Sequence, residues 1–131
     1  MSAKYVKKIV PFHTDDRGEM AYLTDPENPF KITEVLWLDS KKGAIRANHY
    51  HKKDTHIICL VSGKFEYITK DMSDPNAKIE KTIVNPGEMA ISPAMIAHKV
   101  IFLEDSLAVV LTTEPRDQEH YEADTVRLEI E

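Results

Sequence analysis

Four histidines are spaced along the middle of the chain in a way that suits metal binding or proton transfer. Three of them, His49, His51 and His56, follow one another closely, and His98 comes after a later Gly-Pro turn. The chain has only six histidines, so four on one pattern indicate a shared site. Neutral imidazoles are good ligands for zinc, nickel or iron, and a histidine near neutrality also moves protons. The pattern therefore predicts a metal centre, an acid–base site, or both.

Strand geometry explains how these side chains meet. Alternate side chains of a strand share a face, so His49 and His51 point the same way. A turn through residues 52–55 can bring His56 back on a neighbouring antiparallel strand, and His98 can reach the same place from a second hairpin. An isolated His-x-His pair more often lies on the surface or in the core, but the full spacing favours a common site.

With the nearby glycines, the histidines form a longer motif: G-x5-H-x-H-x4-H-x6-G, then G-x5-P-x4-H. This motif resembles the two-part signature of the cupin superfamily. The resemblance implies an all-β fold, the antiparallel double-stranded β-helix (cupin or jelly-roll barrel). It also implies that His49, His51, His56 and His98 bind one divalent metal: zinc, nickel or iron. The chain departs from the usual motif at His56, where the family has Glu, and at Met95, where it has Gly.

Length and composition bound the class of protein. The 131 residues, 42% hydrophobic and 30% charged, predict a single globular domain over residues 1–131. A net charge of −5 argues against a nucleic-acid binder. The chain starts without a signal-peptide pattern and has no apolar run long enough for a membrane, so we expect a cytoplasmic protein without membrane contact. Cys59, the single cysteine, lies in an apolar run and is expected to be a buried thiol rather than a nucleophile.

The rest of the chain reads as short strands separated by Gly, Pro, Asn and Asp turns, which is typical of a sandwich or barrel. The predicted strands are Tyr5–Pro11, Glu19–Leu23, Ile32–Leu38, Ile45–His51, Thr55–Val61, Lys64–Lys70, Lys78–Val84, Glu88–Ser92, Val100–Leu103 and Leu107–Thr112. Only Glu114–Tyr121 is compatible with a short helix.

Two of these strands, Val35–Leu38 and Leu107–Leu111, are apolar on both faces. One face can fill the barrel, and the other then needs a cover that a chain with so few helices does not supply. We therefore predict a homodimer whose interface includes the strand Tyr5–Pro11, because an uncovered edge strand promotes uncontrolled pairing. The alternative is a two-sheet sandwich in which a central strand is covered within one chain.

The first half of the chain also resembles the sugar-nucleotide 3,4-ketoisomerases, small cupins that act on dTDP-4-keto-6-deoxyglucose. The matching residues are Arg17-Gly18, Ala21, Leu23, Pro29-Phe30-x-Ile32-x-x-Val35, Gly43 and Arg46-x-x-His49-x-His51-Lys52. The resemblance implies that His49 and His51 move protons between sugar carbons without a metal. That family has Gln at the position of His56 and lacks the histidine found here at His98.

The second half resembles the metal-binding C-terminal cupin of a capsular-polysaccharide assembling reductase, which epimerises a UDP-4-keto-6-deoxy sugar and binds zinc. The matching segments are the run Arg46–His51 and the tail Thr113-Glu114 followed by Ala123-Asp124-Thr125. Both resemblances imply chemistry beside a sugar ketone. The predicted function is therefore an isomerase or epimerase of a nucleotide-linked 4-keto-6-deoxy sugar in surface polysaccharide biosynthesis.

That chemistry needs a base to remove the proton next to the ketone and a group to stabilise the enolate. The predicted catalytic residues are His49, His51 and Tyr67. If the metal takes all four histidines, the base is to be sought among Tyr67, Glu66, Lys52 and His120. Two other interpretations stay open: a non-haem metal oxygenase, and a non-catalytic sugar-binding or regulatory barrel braced by its metal.

Three cations are predicted to bind the diphosphate of such a substrate: Arg17, Arg46 and Lys52. For Arg17 the alternative is an ordinary solvated charge in a loop.

Overall fold

The computed structural model describes residues 4–27, 31–114 and 118–130. In chain order, the elements are β1 (Val6–Lys8), β2 (Pro11–Asp15), β3 (Gly18–Ala21), β4 (Glu34–Ser40), β5 (Ile45–His51), β6 (His56–Ser62), β7 (Phe65–Asp71), β8 (Glu80–Val84), β9 (Glu88–Ser92), β10 (Ile96–Phe102), β11 (Ser106–Thr112), α1 (Gln118–Asp124) and β12 (Thr125–Arg127). Within these ranges no helix is both long and apolar enough to cross a membrane.

Two five-stranded antiparallel sheets pack face to face, and a small hairpin stands apart from them. The sheets have the strand orders β1-β9-β6-β11-β4 and β12-β5-β10-β7-β8, while β2 pairs with β3. Side chains from both sheets form one interior cluster, with Leu60, Phe65 and Phe102 among its fully buried members. Each such side chain contributes about 1.5–3 kcal/mol of hydrophobic stabilisation. The predicted all-β cupin architecture is confirmed.

Alternation along β6 separates the interior from the outer face of its sheet. Ile58 and Leu60 belong to the interior cluster, whereas Ile57 and Cys59 point outward under a cover that includes Ile9. Cys59 is only 3% exposed, and this burial raises the pKa of its thiol to about 11. The expectation of a buried thiol is confirmed, and the neutral thiol has little nucleophilic character near pH 7.

Most predicted strands are present, and the differences lie at turns. Ile45–His51 and Glu88–Ser92 have the predicted bounds. The predicted strand Tyr5–Pro11 is instead two short strands, β1 and β2. The strand predicted to begin at Val100 begins at Ile96. The helix lies at Gln118–Asp124 rather than Glu114–Tyr121; residues 115–117, like the matched pair Pro29-Phe30, lie outside the described residues.

Apolar side chains remain exposed on the outer faces. β4 is an edge strand whose inward residues join the interior cluster, while Val35 and Trp37 are 64% and 74% exposed. On the hairpin, the rings of Phe12 and Tyr22 stack with centroids 4.4 Å apart, and both residues are more than half exposed. Trp37, Phe12 and Tyr22 are the largest apolar side chains that the described part of the chain leaves uncovered.

Candidate functional site

The four predicted histidines converge inside the barrel. His49 and His51 come from β5, His56 from β6 and His98 from β10, and each is at most 7% exposed. Ring centroids are 4.6 Å apart for His49 and His51, 4.8 Å for His49 and His98, and 4.4 Å for His51 and His56. The pairing of β5 with β10 places His49 directly opposite His98. The four side chains therefore meet in the barrel interior, and their role as a functional site stays a prediction.

Possible ligand atoms fall into two overlapping groups. One contains His49, His51 and His98, and the other contains His51, Asp54 and His56; within each group the atoms lie within 4.8 Å of one another. His51 belongs to both. The first group consists of nitrogen donors alone, which suits zinc, nickel or iron. The second adds a carboxylate.

Hydrogen bonds assign the tautomer of His51. The Thr125 hydroxyl donates to the Tyr121 carbonyl at 2.6 Å, so its oxygen accepts from His51 Nδ1 at 3.2 Å. Asp124 Oδ2 lies 3.6 Å from the same nitrogen. His51 therefore carries its hydrogen on Nδ1, and the lone pair is on the buried Nε2. Acceptors of this kind orient metal-binding histidines and make them better ligands.

His56 has the shortest contact to a charged group. Its Nε2 donates to Asp54 Oδ2 at 2.6 Å, and both side chains are at least 93% buried. The other oxygen of Asp54 accepts from the Thr113 amide and hydroxyl and from the Glu114 amide at 3.0–3.2 Å. Burial alone would raise the pKa of Asp54, but the hydrogen bond and nearby ring of His56 outweigh it, so the pKa lies below its usual value. Asp54 is therefore an anion that accepts four hydrogen bonds.

His98 is held as a neutral ring. Burial, and then the proximity of His49 and His56, keep its pKa well below the usual value. Its Nδ1 donates to the Ile96 carbonyl at 3.2 Å, which leaves the lone pair on Nε2. A neutral imidazole with a fixed tautomer can bind a metal without first losing a proton.

A cavity of about 400 Å³ opens onto the cluster. Its walls carry His49, His56 and His98, together with Arg46 and Tyr121. Apolar side chains complete the lining, among them the interior Phe102 and the exposed Trp37. The cavity therefore combines imidazoles, a phenol and a guanidinium on one concave surface, as expected for a site that binds a polar small molecule.

An irregularity in β5 turns Arg46 toward this cavity. With regular alternation, Arg46 would point away from His49, three residues later. The pairing with β10 shifts instead, so that Arg46 lies opposite Val100, an interior residue. Ala47 and Asn48 absorb the extra residue with φ of +68°, a left-handed conformation that costs a non-glycine residue about 1–2 kcal/mol. This bulge places Arg46 on the histidine side.

The other predicted site residues do not line the cavity. Arg17 is on the β2–β3 hairpin, where it pairs with Asp15 at 2.7 Å and lowers the pKa of that carboxyl to about 2. Lys52 lies beside α1, with Nζ 3.4 Å from the Ala123 carbonyl. Neither position is at the cavity wall, and binding of a diphosphate by Arg17 and Lys52 stays a prediction.

Tyr67, predicted to be catalytic, is buried and does not line the cavity. Its hydroxyl donates to the Ile91 carbonyl at 2.8 Å and contacts the Ser92 hydroxyl, and burial raises the pKa of the phenol. The residue is 2% exposed and packs in the interior cluster behind His98, at a ring distance of 6.4 Å. Tyr67 therefore supports the wall of the site and is not well placed to transfer a proton. The alternative base Glu66 alternates with it and lies on the other face of β7.

Three functional candidates were not identified from the sequence. Asp54 stands between His51 and His56, so the spacing H-x2-D-x-H was a usable signal. Asp124 and Tyr121 come from the tail; their distance along the chain hides their contact with the histidines. The Tyr121 ring lies 5.7 Å from that of His51 and lines the cavity.

Comparison with known proteins gives a consistent picture. A family described as "FdtA: WxcM-like, C-terminal" matches residues 3–128. A spore coat polysaccharide biosynthesis protein of Bacillus subtilis, SpsL, is 32% identical over 100 residues. That match covers 71% of this chain and 66% of the relative, so the chain spans just under two thirds of the relative's length.

Solved structures of similar fold include sugar-nucleotide enzymes. The WlaRB TDP-quinovose 3,4-ketoisomerase of Campylobacter jejuni is 21% identical with a TM-score of 0.75, over 96% of this chain and 95% of that chain. QdtA, a 3,4-ketoisomerase from Thermoanaerobacterium thermosaccharolyticum bound to TDP, is 20% identical with a TM-score of 0.72, over 97% and 90%. The dTDP-4-dehydrorhamnose 3,5-epimerase of Sulfolobus tokodaii is 23% identical with a TM-score of 0.72, over 94% and 75%. These similarities confirm the cupin fold.

Proposed function

Because the chain belongs to the WxcM-like, C-terminal family, we propose that it isomerises or epimerises a nucleotide-linked 4-keto-6-deoxy sugar in surface polysaccharide biosynthesis. Proteins of the same fold include TDP-sugar 3,4-ketoisomerases and a 3,5-epimerase, and the 32% identical SpsL is a spore coat polysaccharide biosynthesis protein. The observation that carries the proposal is the cavity that brings three imidazoles and Arg46 to one wall.

The chemistry of a keto sugar fits these groups. The ketone acidifies the neighbouring C–H, so an imidazole in the cavity wall can remove that proton, and a proton can then return at a different position, or on the other face from a second donor. Returning it to the same carbon on the other face is an epimerisation. Protonating the former ketone carbon, with the ketone moved to its neighbour, is a 3,4-isomerisation. Arg46, at the cavity wall, supplies a planar cation suited to the diphosphate.

We also propose a divalent metal, zinc, nickel or iron, bound by His49, His51 and His98. The fit rests on donor chemistry: two of the three rings have a tautomer fixed by a hydrogen bond, and the lone pair is on their other nitrogen. When bound, such a metal would stabilise negative charge on the ketone oxygen as a Lewis acid. His56, the fourth histidine of the predicted set, is hydrogen-bonded to Asp54 instead.

Solvent deuterium exchange tests the reaction. In D₂O, a dTDP- or UDP-linked 4-keto-6-deoxyhexose should gain deuterium at a ring carbon in the presence of the protein, because both reactions pass through the enolate. His51→Ala should abolish the gain, and His13→Ala, at an exposed histidine of the hairpin, should not change it. Mass spectrometry and proton NMR of the sugar measure both results. If dTDP-, UDP- and GDP-linked keto sugars all stay undeuterated, the proposal is wrong.

Elemental analysis tests the metal. Protein purified without chelator should contain a near-stoichiometric divalent metal, and its removal should lower the thermal midpoint. A ligand present at 100 times its Kd stabilises the native state by about 2.7 kcal/mol. His98→Ala should lose the metal, whereas His13→Ala should keep it. Zinc, nickel and iron all at background in the unmodified protein would contradict a metal site.

A further inference from the structure

The four histidines are not equivalent, because His56 lies close to His51 but farther from His98. Its ring centroid is 6.1 Å from that of His98, whereas His49 is 4.8 Å from His98. The compact nitrogen group consists of His49, His51 and His98, and His56 is grouped with Asp54 instead. Proximity therefore divides the cluster into a three-histidine set and a histidine–carboxylate pair that meet at His51.

The hydrogen-bond acceptors of the rings of His56 and His98 also differ. His98 donates to a neutral backbone carbonyl at 3.2 Å, but His56 donates to the Asp54 carboxylate at 2.6 Å. Charge-assisted hydrogen bonds of this length are about twice as strong as neutral ones. The carboxylate is itself fixed by Thr113 and Glu114, so it cannot turn away without losing three other hydrogen bonds.

This contact determines what His56 presents to the cavity. An ionised carboxylate only accepts, so the ring hydrogen is on Nε2 and the lone pair is on Nδ1. His56 lines the cavity, whereas Asp54, 2% exposed, lies behind it. An imidazole that lines a cavity and is backed by a buried carboxylate is the arrangement of a proton-transfer pair, in which the carboxylate fixes the ring and its tautomer.

We propose that His56 transfers the proton in the reaction, with Asp54 as its positioning residue, and that His49, His51 and His98 alone are the metal ligands. This assignment rests on the proposed function and names the base that a four-histidine metal site would leave without a candidate. His56 Nδ1 removes the proton from the carbon beside the ketone. The C–H electron pair becomes the C=C bond of the enolate, and the negative charge moves to the ketone oxygen.

His56 then carries a proton on each nitrogen, with Nε2–H still on Asp54. In the 3,4-isomerisation the Nδ1 proton goes to the former ketone carbon, while the hydroxyl proton of the neighbouring carbon passes to the former ketone oxygen, so that the neighbour becomes the ketone and the histidine is neutral again. The cycle consumes no oxidant, reductant or other reactant. Asp54 contacts neither the sugar nor the metal in this scheme; it acts by fixing the orientation and the tautomer of the ring.

Separate measurements of metal content and deuterium exchange test the assignment. Asp54→Asn and His56→Gln should keep the metal content of the unmodified protein and slow exchange by at least about 100-fold, the usual contribution of a general base. For Asp54→Asn the loss should be in kcat rather than KM. His98→Ala should lose metal and exchange together, and Asp74→Asn, at an exposed loop carboxylate, should change neither. Thermal midpoints show which variants remain folded.

The ring nitrogens give a signature that a purely structural role would not produce. Long-range ¹H–¹⁵N spectra should show His56 protonated at Nε2, with the signal identified by its absence in His56→Gln. Asp54→Asn should shift this signal and leave the His98 signal in place. Loss of metal in His56→Gln, or unchanged exchange in folded Asp54→Asn, would overturn the assignment while the proposed function stands. An unmodified protein that exchanges no hydrogen in any keto sugar would overturn both.

Discussion

At the scale of single residues, Arg46 is the cation whose position depends most on the local backbone. Its guanidinium is anchored through Nε to the Ser40 hydroxyl at 2.8 Å, and it lines the cavity. Arg46→Ala should raise KM about 10–100-fold with little change in kcat, because a charged hydrogen bond contributes about 1.5–3 kcal/mol to binding. Steady-state kinetics with the keto sugar measure this.

Arg17→Ala is the matched control for that variant, since Arg17 pairs with Asp15 on the hairpin and does not line the cavity. Its KM should equal that of the unmodified protein. A fall in kcat at constant KM in Arg46→Ala would mean that the guanidinium acts on the reacting atoms rather than on a distant phosphate.

At this scale the sequence predicts residue types better than residue environments. The four histidines were predictable because their spacing along β5, β6 and β10 follows strand alternation. The proton positions on the rings were not, since Asp124 and Thr125 reach His51 only through the folded tail. The deep burial of Tyr67 was not predictable either, because alternation gives a face but not the depth of a side chain.

At the scale of elements, the turn before β10 contains a strained residue. Met95 has φ of +70° at the position where the cupin signature has glycine, and its amide donates to the His51 carbonyl at 2.7 Å. Met95→Gly should raise the free energy of unfolding by about 1 kcal/mol, because glycine adopts this conformation without steric cost. Urea denaturation measures the change.

The neighbouring substitution separates strain from a general effect of glycine. Ala94 has no positive φ, so Ala94→Gly should lower the free energy of unfolding by about 0.5–1 kcal/mol. A loss of stability in both variants would show that packing of the Met95 side chain outweighs the strain of its backbone.

Strand positions were largely predictable, and their ends less so. Alternation and turn residues located β5 and β9 to the residue. The start of β10 was not predicted because a methionine at position 95, unlike a glycine, does not indicate a left-handed turn. β12 was missed because Thr125–Arg127 is short and forms a strand only through pairing with His49–His51.

At the scale of the whole molecule, the uncovered apolar side chains support the predicted homodimer. Val35 and Trp37 are exposed on an edge strand, and β1 lies at the opposite edge of the same sheet. Sedimentation at micromolar concentration should give a species near 30 kDa, twice the 15.0 kDa chain. Trp37→Lys should shift this species toward the monomer by placing a charge on an apolar contact surface.

Lys81→Glu, a charge change at an exposed position of β8, is the control and should leave the species unchanged. Trp37 is the single tryptophan, so its emission should move to shorter wavelength as concentration rises and the ring leaves water. A single species near 15 kDa at all concentrations, with constant emission, would rule out the dimer. A cytoplasmic location stays a prediction.

The bulge in β5 also holds the segment that follows β12 in place. The Asn48 carbonyl accepts from the Leu128 amide at 3.1 Å, and its side-chain oxygen accepts from the Ile130 amide at 3.0 Å. The extra residue thus fixes the segment that follows β12 through two hydrogen bonds. Deletion of the codon for Asn48 would restore a regular strand with Arg46 still opposite Val100. It would also remove both hydrogen bonds to the segment after β12. A motif search that requires two residues between the arginine and the first histidine would then miss a gene whose product keeps the same cavity wall.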